Sequence, residues 1–214
     1  MNKPITNDCM RDESNKSLNY AWYVVFLLAL ANISSFLDRQ ILGLLVGPIK
    51  RDMHLTDTEV SLLMGLSFAL FYTVFGIIIG RFADRTNRRN IIMTGIALWS
   101  ILTALCAGVK NYTQFFVARM GVGVGEATLS PSAYSMITDY FPKRKLATAL
   151  SVFTMGIFLG SGLALAIGAG LVARHPTEGT VTIPLLGSIY HWQKLFLIIG
   201  LPGLFISLLM IREM

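Results

Sequence analysis

Charged residues are scarce in this sequence: Asp, Glu, Lys and Arg together make up 14% of 214 residues, whereas 54% are hydrophobic. A soluble domain of this length needs far more charge on its surface, so the composition excludes that class. Apolar runs recur at about 20 residues, the helix length that crosses a hydrocarbon core roughly 30 Å thick. We therefore expect an all-α, multi-pass membrane protein. Six transmembrane helices are predicted, numbered 1 to 6 in chain order, near 21–47, 59–80, 91–109, 112–138, 146–173 and 194–211.

Cysteine is rarer still, with two residues in the sequence. Cys9 lies in the polar amino-terminal segment and Cys106 in predicted helix 3, so we expect no disulfide and no metal site. In the sequence, no His or Cys pair has the spacing of metal ligands, and no serine is paired with a base at membrane depth. The sequence therefore predicts no enzyme, no catalytic residue and no cofactor.

Cationic residues are unevenly distributed along the chain. Residues 1–20 are polar and lack the early apolar core of a secretory signal, so they are predicted to be a soluble tail. Of the 18 Lys and Arg residues, eleven fall on the side of this tail and five on the other, which leaves Arg39 and Arg119 at membrane depth. The positive-inside rule then puts both termini in the cytoplasm, with the helices in the cell (inner or plasma) membrane. This distribution accounts for the net charge of +6, so no nucleic-acid partner is expected.

Three local patterns predict details of the helix connections. Thr56 and Glu59 have the spacing of a capping box at the start of predicted helix 2. Pro142 is expected to end predicted helix 4, beside a basic run. The loop before predicted helix 6 reads "TVTIPLLGSIY", and β-branched residues around a proline and a glycine favour a small hairpin outside the membrane.

Glycine recurs at helical spacing. The stretch "GVGVGE", which starts at Gly121, does not have the spacing of a dinucleotide-binding loop. It places Gly121 and Gly125 four residues apart, which lets another helix come close. Predicted helix 5 has two adjacent faces of this kind: one carries Gly156, Gly160, Ala164 and Gly168, and the other carries Gly162, Ala166 and Gly170. We interpret these faces as helix-contact surfaces whose partners need not all lie in this chain.

Ionisable residues at membrane depth need an explanation, because each costs about 3 kcal/mol or more to insert there. Arg119 and Glu126 are seven residues apart and therefore share a face of predicted helix 4, about 10 Å apart along its axis. Asp38 of predicted helix 1 comes out at an overlapping depth, and Ser34 and Ser35 lie on its side of that helix, where they could hydrogen-bond it. These charges could form static ion pairs that hold two helices in register. Alternatively, Glu126 could exchange a proton, and Arg119 could meet an anionic group of a substrate.

The loop "GRFADRTNRRN" at 80–90 joins predicted helices 2 and 3 and is strongly basic. Asp84 precedes a tight turn in which Asn87 is expected to adopt a left-handed conformation. Such a turn can direct the following arginines towards acidic partners such as Asp139. Contacts of this kind on one side of the membrane would act as a gate.

This loop resembles the Gly-x-x-x-Asp-Arg-x-Gly-Arg-Lys/Arg signature of the major facilitator superfamily, with Asn87 in place of the second glycine. Three further stretches are similar to the Spinster-like branch of that superfamily: "LDR" at 37–39, "RMGVGVGEA" at 119–127 and "GSGL" at 160–163. The resemblance covers roughly residues 20–212.

The resemblance implies the amino-terminal six-helix half of such a transporter. Helices 1 and 4 would line a central cavity, helices 2 and 5 would lie at the seam between two halves, and helix 3 would face lipid. Asp38 and Glu126 would couple transport to protons, with Arg39 and Arg119 as their electrostatic partners. The cytoplasmic gate would consist of Gly80, Asp84, Arg85, Arg88 and Asp139.

By the same resemblance, the expected function is proton-coupled, alternating-access transport of an organic solute or amphiphile, such as a lysolipid or a sphingolipid-like molecule. The superfamily uses twelve helices, so a missing six-helix half or a second copy is an expected partner, besides membrane lipid, protons and substrate. Two alternatives stay open. One is a uniporter or exchanger in which the charges are static, and the other is a non-transporting scaffold or regulator in the membrane.

Overall fold

The computed structural model describes residues 6–83, 86–174, 180–183 and 187–213, with side chains at 18–83, 86–170 and 189–212. Helices and two short strands make up nearly all of this part. Within it, five helical spans are long and apolar enough to cross a membrane: Leu18–Leu44, Asp57–Ala83, Arg88–Gly108, Lys143–Gly170 and Gln193–Arg212. The all-α membrane fold predicted from composition is therefore confirmed.

The helices follow one another through short connections, with one hairpin before the last of them. In chain order the described residues form α1 (Thr6–Leu44), α2 (Val46–Asp52), α3 (Asp57–Ser61), a π-helical turn (Leu62–Leu66), α4 (Ser67–Ala83), α5 (Arg88–Leu105), a 3₁₀ turn (Cys106–Gly108), α6 (Tyr112–Glu126), α7 (Leu129–Tyr140), α8 (Lys143–Arg174), β1 (Thr180–Ile183), β2 (Gly187–Tyr190) and α9 (Gln193–Glu213). Residues 6–20, predicted as a tail, continue α1 towards the amino terminus, and residues 1–5 lie outside the described part.

Predicted helix 4 is not one continuous helix, because a turn separates α6 from α7. The amide of Thr128 hydrogen-bonds the carbonyl of Gly125 at 3.2 Å, three residues back, and its hydroxyl donates to the same carbonyl at 2.8 Å. Threonine side chains that bond the backbone in this way compete with regular helix. The Thr128 side chain also occupies the space beside Gly95 of α5, where an added Cβ would overlap it. The span expected at 112–138 is therefore divided, and it is not among the five long spans of the described residues.

The helices pack around two apolar cores, one towards each end of the bundle. α1 lies along α8, α5 packs against both α6 and α9, and α4 packs against α6. One core surrounds Trp99 and reaches Phe141, at what we call the loop end. The other contains Phe115 and Trp192, stacked at 5.6 Å between ring centroids, at the hairpin end beside β2. Helix contact brings little hydrophobic gain in lipid, so close packing and polar contacts hold such a bundle together.

Three local predictions are confirmed. The amide of Glu59 donates to Thr56 Oγ1 at 3.3 Å, and the amide of Thr56 donates to Glu59 Oε2 at 2.8 Å, which makes the capping box of α3. β1 and β2 pair antiparallel, with Thr180 opposite Tyr190, so the predicted hairpin forms. Pro142 lies between α7 and α8, where a helix stop was expected.

The two glycine faces of α8 differ in what lies opposite them. A Cβ added at Gly160 would lie 2.6 Å from the carbonyl oxygen of Ile33 in α1, and one added at Gly156 would lie 3.0 Å from that of Ala29. This face is therefore the helix contact that its spacing predicts. On the adjacent face, which we call the open face of α8, a Cβ added at Gly162 would meet nothing within 4 Å in the described part of the chain. The open face consists of Gly162, Ala166 and Gly170.

Candidate functional site

Two ion pairs connect α1 to α6. Arg119 Nη1 donates to Asp38 Oδ2 at 2.8 Å, and Arg39 Nε donates to Glu126 Oε2 at 2.6 Å. On α6, Arg119 and Glu126 lie about two turns apart on one face. On α1, the side chains of the consecutive residues Asp38 and Arg39 point in directions about 100° apart. The charge cluster predicted from depth therefore forms, and each acid pairs with the arginine of the other helix.

The four charged side chains differ in exposure. Asp38 and Arg119 are 2% and 1% exposed, Glu126 is fully buried, and Arg39 is 24% exposed. Burying a single unpaired charge costs several kcal/mol, and a partner at hydrogen-bond distance offsets part of that cost. Arg39 is thus the member of the cluster that borders open space.

The serines of α1 do not contact the acid that the sequence analysis assigned to them. The hydroxyl of Ser35 donates to Glu126 Oε2 at 2.7 Å, so this oxygen accepts two hydrogen bonds. Ser34 lies towards α9, where a Cβ added at Gly203 would be 3.6 Å from its hydroxyl oxygen. The predicted hydrogen bonds to Asp38 are therefore wrong, because the rotation of α1 against α6 brings Ser35 to Glu126 and Asp38 to Arg119.

Each carboxylate keeps one unused oxygen among the residues that the structure describes. Oδ1 of Asp38 and Oε1 of Glu126 are buried and accept no hydrogen bond from that part of the chain. A carboxylate oxygen with no donor to satisfy it can carry a proton and then act as a donor itself. Chemically, the site can therefore hold a proton on an acid while the other oxygen of that acid stays in contact with its partners.

Three aromatic rings surround the guanidinium of Arg39, a feature that the sequence analysis missed. The guanidinium carbon lies 4.6 Å from the ring centroids of Phe68 and Tyr72 in α4 and 4.9 Å from that of Phe36 in α1. Cation–π attraction operates within about 6 Å of a ring centroid. We call Phe36, Phe68 and Tyr72 the aromatic cage. The sequence did contain a signal for the cage, because Phe68 and Tyr72 are four residues apart and so share one helix face.

Phe68 contacts the second arginine as well. The guanidinium carbon of Arg119 lies 5.7 Å from its ring centroid. This approach depends on Gly123 of α6, where an added Cβ would lie 2.9 Å from the backbone oxygen of Phe68. The π-helical turn ends immediately before α4, and such turns are frequent near functional sites because they alter the direction of the residues that follow.

At the loop end, Arg88 forms an ion pair with Asp139. Arg88 begins α5, and Asp139 lies in the last turn of α7, so the pair ties two helix ends together. Beside it, Arg89 Nη2 donates to the backbone oxygen of Ile211 in α9 at 2.7 Å. Arg88 and Arg89 thus hold neighbouring helices at the same end of the bundle.

Asn87 does not adopt the left-handed conformation expected of it. Its backbone is extended, with φ −66° and ψ 105°, and its side-chain oxygen accepts a hydrogen bond from the amide of Arg89 at 3.1 Å. The prediction is wrong because Asn87 caps α5, and an N-cap residue has an extended backbone. Gly80 approaches α7, where an added Cβ would be 3.9 Å from Pro131 Cβ, an ordinary contact. Asp84 and Arg85, also predicted for the gate, lie outside the described residues.

Comparison with known proteins identifies the class of molecule that carries this site. The sequence profile of the Major Facilitator Superfamily matches residues 28–213. The chain therefore belongs to this superfamily of membrane transporters, as its loop motif suggested. Curated relatives carry the names of transporters and not of enzymes, in agreement with the prediction that the protein is no enzyme.

Individual relatives specify the branch. An MFS-type efflux pump of Mycolicibacterium smegmatis (strain ATCC 700084 / mc(2)155) is 34% identical over 154 residues, which are 72% of this chain and 36% of the relative. A sphingosine-1-phosphate transporter of Xenopus tropicalis, SPNS2, is 33% identical over 147 residues, which are 68% of this chain and 28% of the relative. The crystal structure of a bacterial homolog to the human lysosomal transporter Spinster, inward-facing and occupied, is 32% identical with a TM-score of 0.82.

That crystal structure is matched over 91% of this chain and 44% of its own length. The chain thus spans less than half the length of the relatives that it matches. The likeness to Spinster in sequence and in structure supports assignment to the Spinster-like branch, with this chain corresponding to the amino-terminal half of the transporter fold.

Proposed function

We propose that this protein takes part in proton-coupled, alternating-access transport of an organic solute or amphiphile that carries an anionic group. The observation that carries the proposal is the environment of Glu126. Its carboxylate is fully buried, and one oxygen accepts from Ser35 and Arg39 while the other has no donor in the described part of the chain. Such a carboxylate has one well-held oxygen and one place for a proton.

The proposed cycle follows from the pairing of Arg39 with Glu126. When Glu126 takes up a proton, its attraction for the guanidinium falls, because an ion pair becomes a hydrogen bond to a neutral acid. Arg39 is then available to an anion that approaches its exposed side. When the anion leaves, Arg39 re-forms its pair and the proton is released. The coupling is therefore an exchange of partners at one arginine.

Arg39 is a better candidate for meeting the substrate than Arg119. The side chain of Arg39 is 24% exposed, whereas that of Arg119 is 1% exposed and paired with Asp38. A ligand can reach the first without unpacking the bundle. A sphingosine 1-phosphate or lysolipid phosphate would suit such a site, since a guanidinium binds phosphate through several N–H donors. The name of the Xenopus relative supports the choice of a lipid-like anion.

A second six-helix half, or a second copy of this chain, completes the cavity in this proposal. α4 and the π-helical turn before it expose a continuous apolar face, with Leu66, Leu70, Val74, Ile77 and Phe82 each between 46% and 62% exposed. The open face of α8 offers glycines that would permit close helix contact. Both surfaces lie where the family resemblance expects the seam between halves. Under the same proposal the loop end is cytoplasmic, by its excess of Lys and Arg, and the ion pair of Arg88 with Asp139 is part of the gate there.

The test is uptake by membrane vesicles from cells that produce the protein, with an imposed proton gradient and labelled sphingosine 1-phosphate or lysolipid as substrate. With one proton per substrate, a gradient of one pH unit supports about a tenfold accumulation. In the Glu126→Gln variant the acid is permanently neutral, so accumulation should fall to about one, while exchange of labelled for unlabelled substrate continues.

Glu59→Gln is the matched control for this experiment. Glu59 is also a hydrogen-bonded glutamate, but it caps α3 at an exposed position, and glutamine serves equally well in a capping box. Accumulation by this variant should equal that of the wild type. If Glu126→Gln still accumulates substrate in response to the gradient, Glu126 is not the coupling acid. If the wild type itself ignores the gradient, the protein is a uniporter or exchanger with static charges.

A further inference from the structure

Arg39 has two kinds of partner at once. One is the carboxylate of Glu126, at 2.6 Å from its Nε. The other is the aromatic cage, with three ring centroids between 4.6 and 4.9 Å from the guanidinium carbon. Only the first partner changes its charge in the proposed cycle. The second is present whether or not Glu126 carries a proton.

We propose that the aromatic cage is the lasting partner of Arg39, and that Phe36, Phe68 and Tyr72 hold its guanidinium in place when Glu126 is protonated and no longer pairs with it as an anion. This inference rests on the proposed proton coupling through Glu126. It adds a role for α4, which contributes no charged residue to the cluster described above. Phe68 and Tyr72 act through Arg39, so they are positioning residues.

The geometry requires no large movement of the arginine. Losing the charge of Glu126 removes one attraction and leaves three rings in contact distance, so the guanidinium has a bound position in either state. Without the rings, the partly buried guanidinium of Arg39 would have to move towards solvent or draw Asp38 away from Arg119. Either movement would change the positions of the charged groups in the site. The cage therefore keeps Arg39 where an incoming anion can meet it.

Neutral rings have an advantage over a second acid in this position. A carboxylate beside Arg39 would itself take up protons, and two coupled acids would then titrate as a pair. Aromatic rings attract the cation through their quadrupole and bind no proton in this range. Glu126 alone can then report proton binding to the arginine, which makes the exchange of partners a single event.

Other charged or titratable groups face this region from the neighbouring elements. α8 and α9 carry their Lys, Arg, Asp and Glu residues only near their ends. Among the described residues, the groups that interact with the pair are Asp38 from α1, Tyr72 from α4 and Arg119 from α6, and Cys106 of the 3₁₀ turn lies beside Arg119. Since Asp38 and Arg119 form an ion pair with each other, weakening the cage changes the balance at Arg39 and Glu126 without adding or removing a charge.

Site-specific fluorination of Phe68 tests the inference. Each fluorine on the ring weakens cation–π attraction and hardly alters its size, so the fold is preserved. The purified protein in lipid nanodiscs is titrated with infrared detection of the protonated carboxyl of Glu126, a band assigned by its absence in Glu126→Gln. While Glu126 is ionised, the rings face an ion pair with no net charge, and once it is protonated they face a lone cation, to which they bind more strongly. Weaker rings therefore disfavour the protonated state of Glu126 more than the ionised state. The half-protonation pH should move down stepwise with fluorine count, by about half to one pH unit in total.

The same fluorination at Phe71 is the matched control. Phe71 precedes Tyr72 in α4 and stacks on Phe75, with ring centroids 6.3 Å apart. Its fluorination should leave the half-protonation pH unchanged, because within the described contacts it does not cover Arg39. As a second variant, Tyr72→Phe keeps the ring and should stay near the wild-type value, whereas Tyr72→Leu should shift down.

Two results would overturn the inference, and they are distinguishable. If the half-protonation pH does not depend on fluorination of Phe68, the cage does not favour the state in which Glu126 is protonated, so the inference is wrong and proton coupling through Glu126 is untouched. If the infrared band sensitive to Glu126→Gln is missing at every accessible pH, Glu126 does not titrate. The proposed coupling then fails, and the inference that depends on it fails too.

Discussion

The two ion pairs between α1 and α6 use nearly the same chemistry in different surroundings. Asp38 and Arg119 are both sealed from open space, at 2% and 1% exposure. In the other pair, Arg39 is 24% exposed, and its acid, Glu126, accepts from Ser35 on the same oxygen. A sealed pair is costly to open because both charges lose their partner in a medium of low dielectric constant. In the proposed cycle, the pair of Asp38 and Arg119 therefore holds the helices in place, and Arg39 of the other pair changes partners.

The largest effect on stability is expected from the removal of one charge of the buried pair of Asp38 and Arg119. Arg119→Leu leaves Asp38 buried without a cation, which should destabilise the protein by about 3–5 kcal/mol. Thermal unfolding in detergent, followed by tryptophan fluorescence, measures the loss. The double variant Asp38→Leu/Arg119→Leu should recover most of it, since well-packed apolar residues can replace a buried pair at little cost.

Arg39→Leu is the reference for that measurement. Its cation is partly exposed, and Glu126 can take up a proton when the cation is gone, so the loss should be clearly smaller than for Arg119→Leu. Equal losses of stability for Arg39→Leu and Arg119→Leu would mean that the two pairs hold the helices equally strongly. The distinction between a fixed pair and a pair that changes partners would then be abandoned.

A smaller effect is expected from moving the ring that both arginines share. Gly123→Ala places a Cβ 2.9 Å from the backbone oxygen of Phe68, and a backbone contact cannot relax by side-chain rotation. α4 must then move away from α6, at about 1–3 kcal/mol. In Gly121→Ala the nearest atom is the terminal methyl of Leu102, at 2.6 Å, which can move aside, so this control should lose less than about 1 kcal/mol. A larger loss for Gly121→Ala than for Gly123→Ala would contradict the assigned packing.

The smallest effect on stability is expected at Ser35, which donates a hydrogen bond to Glu126. Ser35→Ala removes one of the two hydrogen bonds to its Oε2 and should cost about 1 kcal/mol of stability. Ser34→Ala is the neighbouring control, expected within about 0.5 kcal/mol of the wild type because its side chain lies towards Gly203 and not towards the acid. The same unfolding measurement compares them. If both variants lose equal stability, Ser35 does not support Glu126.

Periodicity and charge were enough to predict much of this molecule from sequence. Apolar length indicated a bundle of membrane helices, although the span predicted at 112–138 is divided into α6 and α7. The seven-residue separation of Arg119 from Glu126 placed both on the face of α6 that meets α1. These predictions succeed because they depend on the rise and turn of a single helix. The capping box of α3 succeeded for the same reason, since all of its partners lie within four residues.

Predictions failed where the rotation of one helix against another decides the contact. Ser35 bonds Glu126 and not Asp38, and the aromatic cage needs α4 to lie beside α1, which no local pattern specifies. The turn between α6 and α7 depends on Thr128 beside Gly95, two residues far apart in the chain. Asn87 was misjudged locally, because a helix cap and a left-handed turn are both favourable for asparagine.

The crossed pairing also bears on how the chain enters a membrane during synthesis. Arg119 lies 81 residues after Asp38, and Glu126 lies 87 residues after Arg39. α1 therefore leaves the ribosome with an acid and a base whose partners have not yet been made, and each charge costs about 3 kcal/mol at mid-membrane. α6, with its own charges, is the element that relieves this cost. Stable insertion of α1 is thus completed only after α6 has been synthesised. A stall in translation between the two helices would leave α1 open to degradation by the cell's quality-control proteases.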